Sequence, residues 1–427
     1  VANQTYTIYR MFDLDTHNDD YTAVTYKVRD TWSGFFAEGA KGREFVDVDK
    51  NGIVTQKEGI VAADFAAAAY AFAKENSIAN DGQVKAAGET VKFDNLPLGY
   101  YLVQSDLGAL CALTTAKPNQ TVNEKNSKPS VDKQVQEDST EEWGDHNDAD
   151  IGQTVNFKTT VRVTDGDPKN YVLHDKMSTG LTFKADSVAV KIGDRTLAAG
   201  TNYTLVTAGM QDGCTFEIKF ADTALKVNNT VTVEYAATVN DKAVIAGTGN
   251  LNDTWLTYGN NGSTEHDITH TYIWQMDAFK YTTKGGQETP LKDAQFVLYK
   301  EIGGVKYYAV TDANHKITDW TQDGVTPEEN PDASKTYATV FTTPESGKFT
   351  ITGLDADTYY LEEIKAPAGY NVLKDPVKVV ITSQVNQTTN EGIATVTYNE
   401  HSTGTVKIEN KSGVELPTTG GIGTVGG

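Results

Sequence analysis

A chain of 427 residues is long enough for two to four domains with separate cores. Its net charge of −21, spread along the whole length, argues against nucleic acid and anionic membranes as partners. Only two cysteines occur, Cys111 and Cys214, about a hundred residues apart, so a disulfide framework is not expected, and no apolar run is long enough to span a membrane.

The opening VANQTYTIYR reads as a chain whose signal peptide has been removed. In the first domain, residues 1–126, the segment DVDKNGIVTQKE fits a calcium-loop pattern, with Asp47, Asp49, Asn51, Gly52 and Glu58 at the ligand positions. The same residues also read as a hairpin, FVDVD and IVTQ joined by an Asn-Gly turn. That reading is preferred, because Gly39 and Gly42 make a poor incoming helix. No cofactor is therefore assigned, and calcium at Asp47 to Glu58 stays the weaker alternative. The Ala-rich stretch from Gln56 to Asn76 spaces Ile60, Phe65 and Phe72 roughly as a helix does, so a helix is expected over 56–76.

Beyond the helix the texture is that of half-buried strands, alternating β-branched and aromatic residues broken by Gly, Asn and Asp, as in VNFKTTVRV, CTFEIKF and TVTVEYAATV. The fold class expected is mainly β, in three tandem domains. A β-rich first domain with a helical insertion is followed by two immunoglobulin-like sandwiches, over 127–268 and 269–413. The polar stretch Lys117 to Ser130 marks the first boundary and Asn260 to Tyr272 the second. Within the second boundary, His266 and His270 are four apart without a helical pattern and read as surface histidines. FDNLPLGYYLVQ (93–104) weakly repeats ITGLDADTYYLEE (351–363), with Gln104 standing where Glu363 stands. Catalytic signatures such as GxSxG, a phosphate-binding glycine loop or CxxC do not occur.

Six segments carry a resemblance. LPTTG, Leu416, Pro417, Thr418, Thr419 and Gly420, matches the signal cut by sortase transpeptidases, within a tail spanning 414–427. The membrane helix and basic tail that usually follow it are absent, so the sequence reads as trimmed at both ends. YYLEEIKAPAGY (359–370) resembles the E-box of Gram-positive pilins, YxLxETxAPxGY, departing from it only at Ile364. KPSVDKQVQ, VLHDKMSTGLTF and GNLNDTWLTYGN resemble the collagen-adhesin-type middle domain of backbone pilins, and TVNEKNSKPSVDK falls where those proteins carry a polymerising lysine. Together they make the chain similar to a sortase-assembled major pilin of a Gram-positive bacterium.

The resemblance implies internal amide bonds, formed once by each molecule on itself, and not an enzyme with turnover. Glu363 would promote a bond between Lys280 and Asn410 in the C-terminal domain. Asp175 would promote one between Lys133 and Asn252 in the middle domain, with Asn250, Asn260 and Asn261 as competitors for the asparagine. Burial drives a lysine toward its neutral nucleophilic form and a carboxyl toward its protonated form, which is what such chemistry needs. On residue type alone, these six are ordinary strand and turn residues. No bond is expected in the first domain, where Gln104 has no proton to shuttle.

The polymerising lysine implied is Lys125, with Lys128 as fallback, since Asn123 and Glu124 replace the motif's Tyr and Pro. The partners implied are pilin-specific and housekeeping sortases, identical subunits head-to-tail, accessory pilins and host or cell-surface receptors. Nucleic acid and, in the mature form, membrane are not among them. The localisation implied is an extracellular, wall-anchored pilus. The rival readings are a monomeric wall-anchored adhesin or accessory pilin, and a surface enzyme or calcium-regulated binding module built on the first domain.

Overall fold

The computed structural model describes residues 2–114, 120–124, 127–164, 168–414 and 416, with side chains omitted over 109–114. The first domain is a seven-stranded sheet organised around the long strand Thr5–His17, which pairs with Val24–Val28, Gly82–Lys85 and Gly99–Ser105. One helix packs on it. This helix runs Ala62–Glu75, shorter than the expected 56–76: residues 53–56 are instead the second strand of a hairpin with Val46–Val48. The turn explains the difference, because Asn51-Gly52 closes the hairpin with Gly52 at φ +81°, a conformation glycine adopts without strain. The buried helix positions Phe65, Ala66, Ala69, Tyr70 and Ala73 follow helical spacing and meet Trp32, Phe35, Phe36 and Phe45.

The middle domain is a sandwich of a six-stranded and a seven-stranded sheet. Alternation fixes which residues face inward: along Thr230–Val239, Val231, Val233, Tyr235 and Ala237 are buried. The C-terminal domain pairs a four-stranded with an eight-stranded sheet. Here the opening strand Trp274–Lys284 and the closing strand Val406–Glu409 are parallel neighbours, with Lys280 opposite Ile408.

The second boundary differs from expectation. Asp267–Tyr272, expected as linker, is a strand of the middle domain that pairs antiparallel with Asn250–Tyr258. The chain crosses to the next domain at Ile273, between this strand and Trp274–Lys284, past the expected boundary at 268/269. His270 is accordingly buried, 8% exposed, with Nδ1 2.7 Å from the Thr248 carbonyl, while His266 keeps to the surface against Asp253. The physical reason is that the C-terminal domain covers the end of this strand, so its polar sequence does not report its burial.

The domains are keyed together by carboxylates. Asp106 accepts from the backbone amides of Thr5 (2.7 Å), Asn260 (3.1 Å) and Asn261 (2.9 Å), binding the first domain to the middle one. Gly259 at that contact lies so close that a side chain would meet the Asp106 carbonyl at 2.2 Å. At the other junction Asp148 accepts from Trp274 Nε1 (2.5 Å) and Ser383 Oγ (2.8 Å), and Asp150 pairs with Lys300 and the Asp355 amide. No described helix is long and apolar enough to cross a membrane.

Candidate functional site

Two buried constellations occupy equivalent depths in the two sandwiches. In the middle domain, Lys133 comes from the strand Ser130–Gln136 of one sheet, and Asp175 from Val172–Met177 of the other. Both side chains are wholly buried, and Lys133 Nζ lies 2.7 Å from Asp175 Oδ2. Asn252, also wholly buried, sits on Asn250–Tyr258, the strand beside that of Asp175, with Asn252 in register with Met177.

Tyr235 joins the three. Its hydroxyl contacts both Lys133 Nζ and Asp175 Oδ2, and Asn252 Nδ2 donates to it at 3.4 Å. The sequence reading missed this residue. The available signal was its inward position in TVTVEYAATV, since a tyrosine in a row of buried strand positions needs a polar partner for its hydroxyl. The rings of Phe157 and Tyr235 also flank the ammonium, at 5.3 and 4.9 Å.

Electrostatics follow from burial. Desolvation lowers the pKa of Lys133 against the opposing pull of Asp175, and raises that of Asp175 against the pull of Lys133. Desolvation and the neighbouring Asp175 raise Tyr235 well above its ordinary value, so it is a neutral donor. Asp175 Oδ1 and Asn252 Oδ1 have no hydrogen-bond partner.

The competing asparagines are engaged elsewhere. Asn250 Nδ2 donates to the carbonyls of Val244 and Thr271, each at 3.1 Å, and its Oδ1 accepts from the Val244 amide at 2.8 Å. Asn260 and Asn261 lie at the junction with the first domain, on Asp106.

In the C-terminal domain, Lys280 on the opening strand and Asn410 just past the closing strand share a sheet, and Glu363 reaches in from the opposite one. Asn410 Nδ2 donates to Glu363 Oε2 at 3.0 Å and to the Asn371 carbonyl at 3.1 Å. The other oxygen, Oε1, is 3.9 Å from Lys280 Nζ and accepts no hydrogen bond. One carboxyl therefore bridges amine and amide, one oxygen on each. Burial lowers Lys280 to about 8, with Glu363 and Glu409 opposing.

The E-box sequence builds this cradle. After the strand Thr358–Lys365 the chain turns at Pro367, whose carbonyl accepts from the Tyr370 amide. It then returns so that Leu373 donates its amide to Glu363 Oε2 at 2.9 Å. Asn371 and Gly369 also pair with Lys411 and Gly413, pinning the closing strand beside the acid.

The other sequence-derived positions stay apart from these sites. Gln104 is buried with Nε2 on the Ser105 carbonyl, and among the described residues of the first domain no lysine is buried. In the hairpin, Asp49 Oδ1 accepts the amides of Asn51 and Ile53, and Asp47 faces Lys57 at 3.5 Å, while Glu58 is exposed. Lys128 is half-buried; Leu416 is 84% exposed; Lys125 and Pro417 to Gly420 lie outside the described residues.

Residues 151–262 match the family model "Gram-positive pilin backbone subunit 2, Cna-B-like domain", and residues 278–393 match "SpaA: Prealbumin-like fold domain". The middle sandwich thus carries a Gram-positive pilin backbone domain and the C-terminal sandwich a prealbumin-like domain. Among curated proteins it is 22% identical over 310 residues to the trypsin-resistant surface T6 protein of Streptococcus pyogenes serotype M6, a match over 66% of this chain and 52% of that protein. The chain thus spans about half the length of that relative. Among solved structures, the T6 backbone pilin of serotype M6 S. pyogenes, described as a modular three-domain structure, covers 90% of this chain and 80% of its own at a TM-score of 0.50 and 16% identity. The full-length major pilin SpaD of Corynebacterium diphtheriae covers 97% and 90%, with a TM-score of 0.45 and 18% identity.

Proposed function

We propose that this chain is the repeating shaft subunit of a covalently polymerised, wall-anchored pilus, and that each sandwich is closed by an autocatalytic amide bond. The observation that carries the reading is the recurrence, in two sandwiches of different topology, of a buried lysine, a buried acid and a buried asparagine within one contact network.

In each domain the neutral amine attacks the asparagine Cγ, the Nζ–Cγ bond forms, the Cγ–Nδ2 bond breaks, and ammonia leaves. In the C-terminal domain Glu363 Oε1 faces the amine that loses a proton, and Oε2 faces the nitrogen that gains one. In the middle domain Asp175 and Tyr235 together face the amine, and Tyr235 alone reaches the amide nitrogen.

Sortase would cut between Thr419 and Gly420, hold Thr419 as a thioester, and pass it to Lys125 of the next subunit, releasing the enzyme thiol. Accessory pilins and a housekeeping sortase would complete the fibre and its anchoring to the wall. The role is mechanical: a covalent link prevents tension from peeling strands whose hydrogen bonds each contribute only about 1 kcal/mol net.

Intact mass tests the internal bonds, the expected value being the sequence mass less two ammonia molecules. Immunoblots of wall extracts test the polymer. A high-molecular-weight ladder lost in Lys125→Ala and kept in Lys128→Ala is expected, whereas a single band in the parent strain would make the chain a monomeric wall-anchored protein.

A further inference from the structure

On the outward face of the middle domain, four potential metal ligands from two adjoining strands and the turn before one of them converge. His174 lies on Val172–Met177 and Glu217 is its register partner on Phe216–Phe220. Asp212 and Cys214 come from the turn leading into the second strand, and the Cys214 amide holds Asp212 Oδ1 at 3.0 Å, turning Oδ2 toward the imidazole. From His174 Nδ1 the distances are 2.9 Å to Asp212 Oδ2, 3.3 Å to Glu217 Oε1 and 3.8 Å to Cys214 Sγ. One ligand atom from each residue lies within 4.8 Å of all the others.

The Cys214 thiol also hydrogen-bonds Asp212, but one imidazole nitrogen carries at most one proton, so it cannot serve both carboxylates at once. A cation at their centre can. We propose that His174, Asp212, Cys214 and Glu217 form a zinc site. For bonds of about 2.0–2.3 Å, tetrahedral ligands stand about 3.3–3.8 Å apart, which these contacts already approach. The mixed imidazole, thiolate and carboxylate set favours zinc over calcium or magnesium, which prefer oxygen alone.

The surroundings fit a ligand role for Nδ1. The other ring nitrogen, Nε2, is 2.8 Å from Thr257 Oγ1, which can accept its proton and so leave the Nδ1 lone pair for the metal. Trp255 stacks on the ring at 5.0 Å and 1°, setting its plane. A nucleophilic Cys-His-Asp arrangement is not supported, because thiol and carboxylate share the same nitrogen instead of flanking the ring. Lys219 approaches Glu217 only to 3.9 Å. Cys214 is 8% exposed, while Asp212 leaves an opening on the solvent side, its side chain 34% exposed. Zinc binding would release the thiol proton to solvent.

The test is titration of the chelator-treated full chain with Co²⁺, then Zn²⁺. One equivalent of cobalt should give the visible bands of four-coordinate geometry and a near-ultraviolet thiolate charge-transfer band, both removed by zinc. Cys214→Ser should abolish the charge-transfer band, and Asp212→Asn, on the turn, should weaken zinc binding roughly tenfold or more. Cys111→Ser should change neither. Absence of the thiolate band, or Cys214→Ser and Asp212→Asn chains that both bind zinc like the parent, would overturn the site.

Discussion

Asn410 Nδ2 lies 3.0 Å from Glu363 Oε2, although the two residues come from opposite sheets of the C-terminal domain. The amine of Lys280 stands on the other side of the same carboxyl, so the acid is placed between the two groups an amide bond would join. The geometry differs in the middle domain: there lysine and asparagine sit in opposite sheets, and Asn252 lies on a strand before the closing one. A bond there would staple the two layers of the sandwich, whereas the C-terminal bond would join two parallel strands of one sheet.

Replacing Glu363 by Ala should leave the C-terminal bond unmade. Intact mass should then show one ammonia loss in place of two, with the remaining cross-linked peptide containing Lys133. Losing a link that closes a loop of roughly 130 residues should lower the stability of that domain by about 4–5 kcal/mol, read as an earlier melting transition.

Tyr235→Phe tests the residue that lies among lysine, aspartate and asparagine. The ring stays packed on Phe157 while the hydroxyl contacts to Lys133, Asp175 and Asn252 go. Losing a buried hydrogen bond of about 1–3 kcal/mol should slow middle-domain bond formation roughly 10- to 100-fold. The measurement is a mass time course on freshly refolded chain, with the C-terminal ammonia loss as internal control.

Lys280 provides a pH signature. In an Asn410→Ala chain the amine stays free, with a folded-state pKa of about 8 against an unfolded value of about 10.4. Between these values the unfolded chain binds more protons, so stability should rise with pH, by at most about 1.4 kcal/mol per pH unit, and level off above the unfolded value. Hydrogen exchange in the strand Trp274–Lys284 reads this directly; protection that falls across that window would contradict a desolvated Lys280.

Asp106 should govern the first junction. Its carboxylate accepts three backbone amides from two domains, and Asp106→Ala leaves those donors without it. The loss is expected to cost on the order of 2–4 kcal/mol of docking. Small-angle scattering should show a broader range of overall dimensions, with both internal cross-links intact by mass.

Local sequence carried a good share of this. The three-domain β organisation followed from alternation and turn residues, and the E-box pattern named Glu363 together with the turn that cradles it, because acid and cradle lie within about fifteen consecutive residues. Lys133, Lys280, Asp175 and Asn410 were legible from motif position, though nothing local in a lysine or an asparagine reports its burial. What only tertiary structure decided depends on strand register and on contacts between sheets. Asn252 was separated from Asn250, two residues back on the same strand, by the hydrogen bonds Asn250 makes to Val244 and Thr271, and from Asn260 and Asn261 by their place on Asp106. Tyr235 joined the site because its strand crosses above that acid. The strand Asp267–Tyr272 became part of the middle domain because it pairs with Asn250–Tyr258, and His174 met Cys214 because two strands forty residues apart pair there. Non-local register is set by the packing of whole sheets, and no window of sequence contains it.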